Sequence, residues 1–412
     1  LKTNLNAIDP TIFELINDEY KRQQSTIDLI ASENYAPPAV LEATGSILTN
    51  KYAEGYPNKR YYQGCEFVDK VEQIAIDRCK ELFNAEHANV QPHAGSQANF
   101  AALYALVQPG ETIMGMSLAE GGHLTHGHSV NFSGKIYKSV QYTVNKETGL
   151  LDYDAIEKLA VEHKPKLIIA GASAYSRFID FERFAQIAKK INAFFMADIA
   201  HIAGLIAANL HPSPIPYADV VTSTTHKTLR GPRGGLIMCK KDHASKIDRA
   251  IMPGTQGGPF LNSIAAKAVS FHLALQNDFK QYQQHVITNA KTMVTEFLKR
   301  NYTIVTGGTD NHLFVLDLRN KNIKGNDASS LLASVGIVVS QSCIPFDPEK
   351  PTVTSGIRIG TPAVTTRNMK EAEMIQIVDL IDRTFVNRDN TQILNDIKAQ
   401  VLQLALQFKI NE

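Results

Sequence analysis

No stretch of the sequence approaches the ~18 consecutive uncharged apolar residues that a membrane-crossing helix requires, and the polar opening LKTNLNAIDP has no apolar signal-peptide core. The expectation is a cytoplasmic protein with no membrane partner. Cysteine is scarce. Cys65, Cys79, Cys239 and Cys343 lie far apart with no CxxC pair, so neither a zinc site nor a disulfide framework is indicated, and reduced thiols suit the same compartment. An excess of charge of one sign is also missing. Lys plus Arg number 42 and Asp plus Glu 41, a net charge of +1, which leaves no electrostatic footprint for nucleic acid. Internal repeats, low-complexity linkers and Pro-rich spacers are absent too. What is there is 412 residues with 44% hydrophobic content, enough for a large core and too many for one simple domain. A small molecule is the expected ligand.

Helix-period and strand-like runs take turns over most of the first 240 residues. EFVDKVEQIAIDRCKELFN predicts a helix with Phe67, Val71, Ile74 and Leu82 as its apolar face and Asn84 at its end. HANVQP reads as a strand, SQANFAALYALV as a helix, ETIMGM as a strand; LDYDAIEKLAVEH and FERFAQIAKKIN are helices followed by the strands KLIIAGA and AFFMADIA. This alternation predicts an α/β fold whose mostly parallel sheet is covered by helices. After about residue 275 come a long polar helix, the short strands HLFVLDL, GIVVS and GIRIG, and two terminal helices. The division expected is 1–275 for an N-terminal arm and large domain, and 276–412 for a smaller C-terminal α/β domain.

Ligands of open parallel sheets sit beyond the carboxyl ends of the strands. Three such places carry unusual chemistry. AFFMADIAH puts Asp198 directly after apolar residues, where a buried carboxylate needs a partner. QPHAGSQAN puts Gly95 and Ser96 at a helix start, with free N–H groups and the positive end of the helix dipole, a setting for phosphate. VVTSTTHKTLRGPRGG ends its strand in Thr224, then His226 and Lys227, then a glycine turn; a lysine desolvated there becomes a nucleophilic amine. Each has a plain reading: a solvated lysine, a capping aspartate, an ordinary N-cap. Together they are the three anchors that pyridoxal phosphate requires, the lysine forming an imine, the carboxylate keeping the ring nitrogen protonated and the helix start holding the phosphate.

LIASEN, LTNKYAEGYP, KRYY, GCEFVD, GSQAN, GGHLTHG, VNFSGK, AGASAYSR, AHIAGL, TTHKTLRGPRGG, QGGP, GGTDNH and SGIRIGTPA resemble the motifs of the serine hydroxymethyltransferases. They are spread over residues 29 to 363. The resemblance implies a fold-type I pyridoxal-phosphate enzyme, a homodimer of the shorter bacterial type, that interconverts serine and glycine with tetrahydrofolate as co-substrate. Lys227 is then the imine lysine, Asp198 the partner of the pyridine nitrogen, and His123 stacks on the ring; zinc held by His123, His126 and His128 is the other reading of GGHLTHG. His201 meets the ring's phenolic oxygen, or is merely structural. Arg358 forks onto the substrate carboxylate. Glu54 is the acid/base carboxylate. Tyr52, Tyr61, Tyr62 and Gly258 reach the site from the neighbouring subunit. Ser32, Ser173, Thr224 and His226 line the substrate and cofactor cavity, and Leu118, Gly122 and Leu124 the folate groove.

Some positions depart from the family pattern. Ala94 stands where a serine of HSGSQAN is usual, Asn58 and Gln63 replace two glycines of GYPGKRYYGG, and Ser340, Gln341 and Ser342 occupy an N-K-N stretch whose second asparagine contacts the pteridine. Two rival readings therefore stand beside the transferase: a folate-independent aldolase of β-hydroxy amino acids on the same scaffold, and a non-catalytic binding protein that kept the fold.

Overall fold

The computed structural model describes residues 5–410; residues 1–4 of the opening stretch and residues 411–412 lie outside it. The apolar runs pair into one seven-stranded sheet, in the spatial order His87–Asn89, Gly235–Cys239, Val220–Thr224, Phe194–Asp198, Leu167–Ala170, Thr112–Met116, Lys138–Tyr142. Gly235–Cys239 runs against its two neighbours, and the remaining pairings are parallel. A sheet of this kind buries both faces, so successive residues go to opposite cores. Ile168, Ala170, Phe195 and Ala197 pack on one side, Leu167, Ile169 and Met196 on the other. Between the strands run the expected helices. Tyr153–His163 and Phe181–Lys190 start at Asp152 and Asp180, whose carboxylates accept the N–H of Ala155 at 3.0 Å and of Arg183 at 2.9 Å.

The helix Glu66–Phe83 forms and ends at Asn84, which takes the left-handed conformation with φ 54°. Its buried face is not the one expected. Val68, Glu72, Ala75, Cys79 and Phe83 are buried, while Phe67 is 70% and Ile74 44% exposed. Small residues fit against the neighbouring helix Leu261–Ala274, and Glu72 is tolerated inside because Arg60 and Gln91 donate to its two oxygens at 2.5 and 2.7 Å. The four cysteines are free thiols, and no helix among the described residues is long and apolar enough to cross a membrane.

A second, four-stranded antiparallel sheet lies towards the C-terminus, in the order Thr303–Ile304, Leu313–Asp317, Gly356–Gly360, Ser340–Ser342. Its core also holds Ile27 and Leu29 from the N-terminal segment, and Ile27–Asp28 pairs in parallel with Ile337–Val338. The helix Asn277–Lys299 joins the two cores. Phe279, Tyr282, Val286 and Ile287 pack in the first, Met293, Val294 and Phe297 in the second. We propose this helix, rather than a linker, as the joint between a large and a small domain.

Candidate active site

Because the parallel strands point their carboxyl ends at one rim, the loops that leave them converge there. Asp198 closes its strand, Thr224 hands on to His226 and Lys227, Ala170 leads to Ser173, and Asn89 leads to the helix Gly95–Leu106. A cavity of about 190 Å³ at this rim is walled by Gly95, Ser96, His123, Ser173, Asp198, His201, Thr224, His226 and Lys227. Asn99 and Arg233 share that wall without having been singled out from the sequence, and so does His126, which the sequence offered only as a zinc ligand.

Asp198 sits in a network anchored to the sheet. Its Oδ2 accepts from His126 Nε2 at 3.0 Å and Asn99 Nδ2 at 2.8 Å, and Oδ1 accepts the N–H of Ala200 at 3.0 Å. Asn99 is itself fixed by Thr222, whose hydroxyl donates to Asn99 Oδ1 at 2.6 Å. Burial alone would raise the Asp198 carboxyl, but the hydrogen bond and charge of His126, with His123 and Asn99, outweigh it and hold the group well below the usual carboxylate range. It stays anionic. His126 thus serves Asp198; among the described residues no group of three His, Cys, Asp or Glu is arranged to hold a metal.

Lys227 carries its ammonium into a dry wall. Burial lowers it to about 8; Asp198 opposes that shift, and Arg358 and Arg233 add to it. The free amine is therefore far more accessible near neutral pH than for a surface lysine. Burial also keeps the surrounding histidines neutral, His123 and His226 at about 4 and His201 well below its ordinary value. His123 Nδ1 lies 2.7 Å from the Thr125 hydroxyl and accepts the Thr125 N–H at 3.2 Å, which fixes the ring at the cavity wall. His201 faces a second histidine, His312, at 3.3 Å.

The helix Gly95–Leu106 begins without a side-chain cap, since Ala94 stands at the N-cap position. Its first N–H groups face the cavity with the helix dipole behind them. Gly95 is required there: a Cβ would stand 2.6 Å from Thr224 Cγ2. An anion is the natural cap for such an end. Arg358 lies on the second sheet, opposite Ser340 in register. Its Nη1 donates to Ser173 O at 2.8 Å and Nη2 to Ser340 Oγ at 3.3 Å, while Nε is buried with no partner. Burial lowers the guanidinium to about 10, and an orphaned buried N–H on it is what an incoming carboxylate would satisfy. The residues present thus fit pyridoxal phosphate and an amino-acid carboxylate: a dry amine, a fixed anion, an uncapped helix start and an unsatisfied guanidinium.

Glu54, Tyr52, Tyr61, Tyr62 and Gly258 are not in the wall around Lys227. Most of them form a second group. The Tyr52 and Tyr62 rings meet edge to face at 5.5 Å, Glu54 raises the Tyr62 hydroxyl, and Tyr52 packs so closely on Gly258 that a Cβ there would lie 3.1 Å from its ring. The arm that bears the tyrosines and Glu54 is tied down by Arg60, which donates to Ala53 O at 2.9 Å and Gly55 O at 2.8 Å. Asn58 occupies a left-handed turn position with φ 63°, a conformation asparagine tolerates better than other side chains, so the loss of the usual glycine leaves the turn intact. Ser32 lies in the loop after Ile27–Asp28, outside that wall. Leu118 and Leu124 are 36% and 40% exposed beside Gly122, whose Cβ position is filled by Met116 O. Ser342 turns its hydroxyl onto Cys343 O at 3.0 Å.

The serine hydroxymethyltransferase family model matches residues 5–381 of the chain. Two relatives called serine hydroxymethyltransferase, from Legionella pneumophila strains Lens and Corby, are each 57% identical to it over 408 residues, which covers 98% of the chain and 98% of their own lengths.

Proposed function

This chain belongs to the serine hydroxymethyltransferase family, and from that premise we propose that its cavity holds pyridoxal phosphate and moves a one-carbon unit reversibly between L-serine and tetrahydrofolate, giving glycine and 5,10-methylenetetrahydrofolate. The observation that carries the reading is the convergence of Lys227, Asp198 and the uncapped start of Gly95–Leu106 on one cavity. The bound cofactor supplies an electron sink for the pair left on the amino acid. Lys227 would hold it covalently through Nζ. Asp198 would hold a proton on its ring nitrogen, His123 would stack on the ring and His201 meet its phenolic oxygen, Thr224 and His226 shape the wall beside Lys227, and Gly95 and Ser96 would take the phosphate. Arg358 and Ser173 orient the substrate carboxylate, with Ser32 on the approach. Glu54 moves the proton of the serine hydroxyl.

We propose further that the protein works as a homodimer whose sites are shared, in the cytoplasm. The second group of Tyr52, Glu54, Tyr62 and Gly258 is assembled on the same chain yet stands outside its Lys227 cavity, and Tyr61, Phe67 and Phe260 leave a large apolar surface exposed nearby, at 73%, 70% and 55%. A patch of that kind marks a protein interface. Mixing inactive Lys227→Ala chains with inactive Glu54→Gln chains is expected to restore part of the activity, because one hybrid site is then complete. Proven subunit exchange without recovery would remove the shared-site proposal.

Folate recognition separates the transferase from the aldolase, which gains some support from Ser342. A serine in place of asparagine, with its hydroxyl turned onto Cys343 O, deprives a pteridine edge of one or two hydrogen bonds worth roughly 0.5 to 1.5 kcal/mol each. That weakens folate by about ten-fold without abolishing binding. Leu118, Gly122 and Leu124 keep the groove. Tetrahydrofolate is expected to enhance both serine cleavage and the visible absorbance change caused by glycine. Ser342→Asn is expected to tighten folate by about ten-fold and to leave glycine affinity unchanged. Indifference to folate at every soluble concentration would replace the transferase with the aldolase. A purified protein that never binds the cofactor would leave the non-catalytic reading.

A further inference from the structure

Among the described residues, the buried Lys267 takes no part in the site around Lys227. Lys267, in the helix Leu261–Ala274, is 1% exposed. Its ammonium donates to three main-chain carbonyls, Val90 O at 2.6 Å, Pro92 O at 3.0 Å and Gly235 O at 2.8 Å. That satisfies its three N–H bonds but not its charge. The ionisable groups that favour its charged form are Cys79 and Glu72. Neither balances it: burial pushes the Cys79 thiol up to about 12, and Glu72 is already paired with Arg60 at 2.5 Å. On the other side, burial and then Lys267 discourage His93 from charging, and Lys267 adds a lesser share to burial, Arg233 and Lys227 at His226. A buried ammonium with carbonyl partners alone is an incomplete ion pair.

The three carbonyls share a location. Val90 and Pro92 belong to the stretch that leads into the uncapped helix start at Gly95, and Gly235 lies against that stretch, its N–H donating to Pro92 O at 3.0 Å. A Cβ at Gly235 would overlap Ala94 O and stand 3.2 Å from Gly95 N. Lys267 therefore draws the carbonyl side of this backbone inward, while the N–H ends at Gly95 and Ser96 are left to the cavity.

We propose that Lys267 is the fixed countercharge for the phosphate group of the ligand, a positioning residue that holds residues 90–95 from behind and whose charge is balanced only when a dianion caps the helix. The inference rests on the cofactor reading given above. Burial brings the ammonium down to about 7, so its proton is held less firmly than a surface lysine's, and a nearby dianion raises it again and favours proton uptake.

Cofactor-free protein titrated in parallel with pyridoxal phosphate and with pyridoxal, which lacks the phosphate, tests this. Lys267→Met is expected to weaken pyridoxal phosphate by about 30-fold with little change for pyridoxal, and Lys267→Arg to retain most of the preference. Equal losses for both ligands would reduce Lys267 to a structural staple and overturn the proposal. Should Lys267→Met fail to fold, calorimetry of the wild-type protein at pH 8 in two buffers of different ionisation enthalpy decides. Pyridoxal phosphate is expected to bring more proton uptake than pyridoxal, and equal uptake overturns the proposal. A wild-type protein that binds neither compound would instead sink the cofactor reading itself.

Discussion

Replacement of Asp198 by asparagine is expected to lower kcat for serine cleavage by roughly 10²- to 10³-fold, the scale for removing one preorganised electrostatic group, while cofactor affinity falls far less. The side chain keeps its size, and Asn99, Ala200 and the sheet behind it stay in place. What disappears is the fixed negative charge, which His126 and Asn99 keep ionised at any working pH, and with it the proton on the ring nitrogen. His126 and Asn99 retain an oxygen to bond while the Ala200 N–H loses its acceptor, a single hydrogen bond, so the fold is expected to survive. The check is a pair of measurements, the cofactor dissociation constant and single-turnover rates with serine. Near-normal turnover would show that the ring is not activated from this position.

Lys227→Ala is expected to have a larger effect still, a loss of turnover of at least about 10³-fold. Some noncovalent cofactor remains, since the phosphate and ring anchors do not involve Lys227. In the unmodified protein, borohydride is expected to fix the cofactor to the peptide that contains Lys227 and to no other. The pH dependence has a definite sign. Only the neutral amine attacks a carbonyl, and burial has brought its pKa from the ordinary range down to about 8, so the rate of covalent capture rises with pH through about 8 and levels above it. A rise centred two units higher would mean that the lysine is solvated, and labelling elsewhere would move the site.

Strands and their ends were legible because an apolar run that stops at a charged residue is a local signal: FFMA before Asp198 and VVTST before His226 and Lys227 fall where the strands end. The helix Glu66–Phe83 was legible as a helix but misread in its facing, since counting apolar residues favours Phe67 and Ile74 over Ala75 and Cys79. Burial there is decided by close helix packing and by Arg60 reaching Glu72 from another segment. The pairing of Asn99 and His126 with Asp198 was missed for a different reason, the sequence offering His126 only as a zinc ligand. They meet Asp198 across 99 and 72 residues of sequence, and only strand order brings them together; GGHLTHG offered the residue type without the partner. Lys267 was invisible for a third reason, because a lysine within SIAAKAVSF reads as the solvated side of a helix until the carbonyls of two distant segments are seen to surround it.

The guanidinium of Arg358 and the carbonyl of Ser173 belong to different bodies. Ile357 and Ile359 root the arginine's strand in the C-terminal core, while Ala170 and Tyr175 root the serine's loop in the core of the large sheet. In the binding mode proposed above, an amino acid held by Arg358 at its carboxylate and by the Lys227 side at its amine would be a crossbar over a seam. A rotation of one body on the other would stretch or slacken that crossbar, and the helix Asn277–Lys299, packed in both cores, would resist the swing. We propose that affinity for the amino acid thereby gauges the angle between the two halves, and that substitutions along that helix, whose Gln283 donates to Thr228 O beside Lys227 at 2.6 Å, alter the grip before they alter the chemistry.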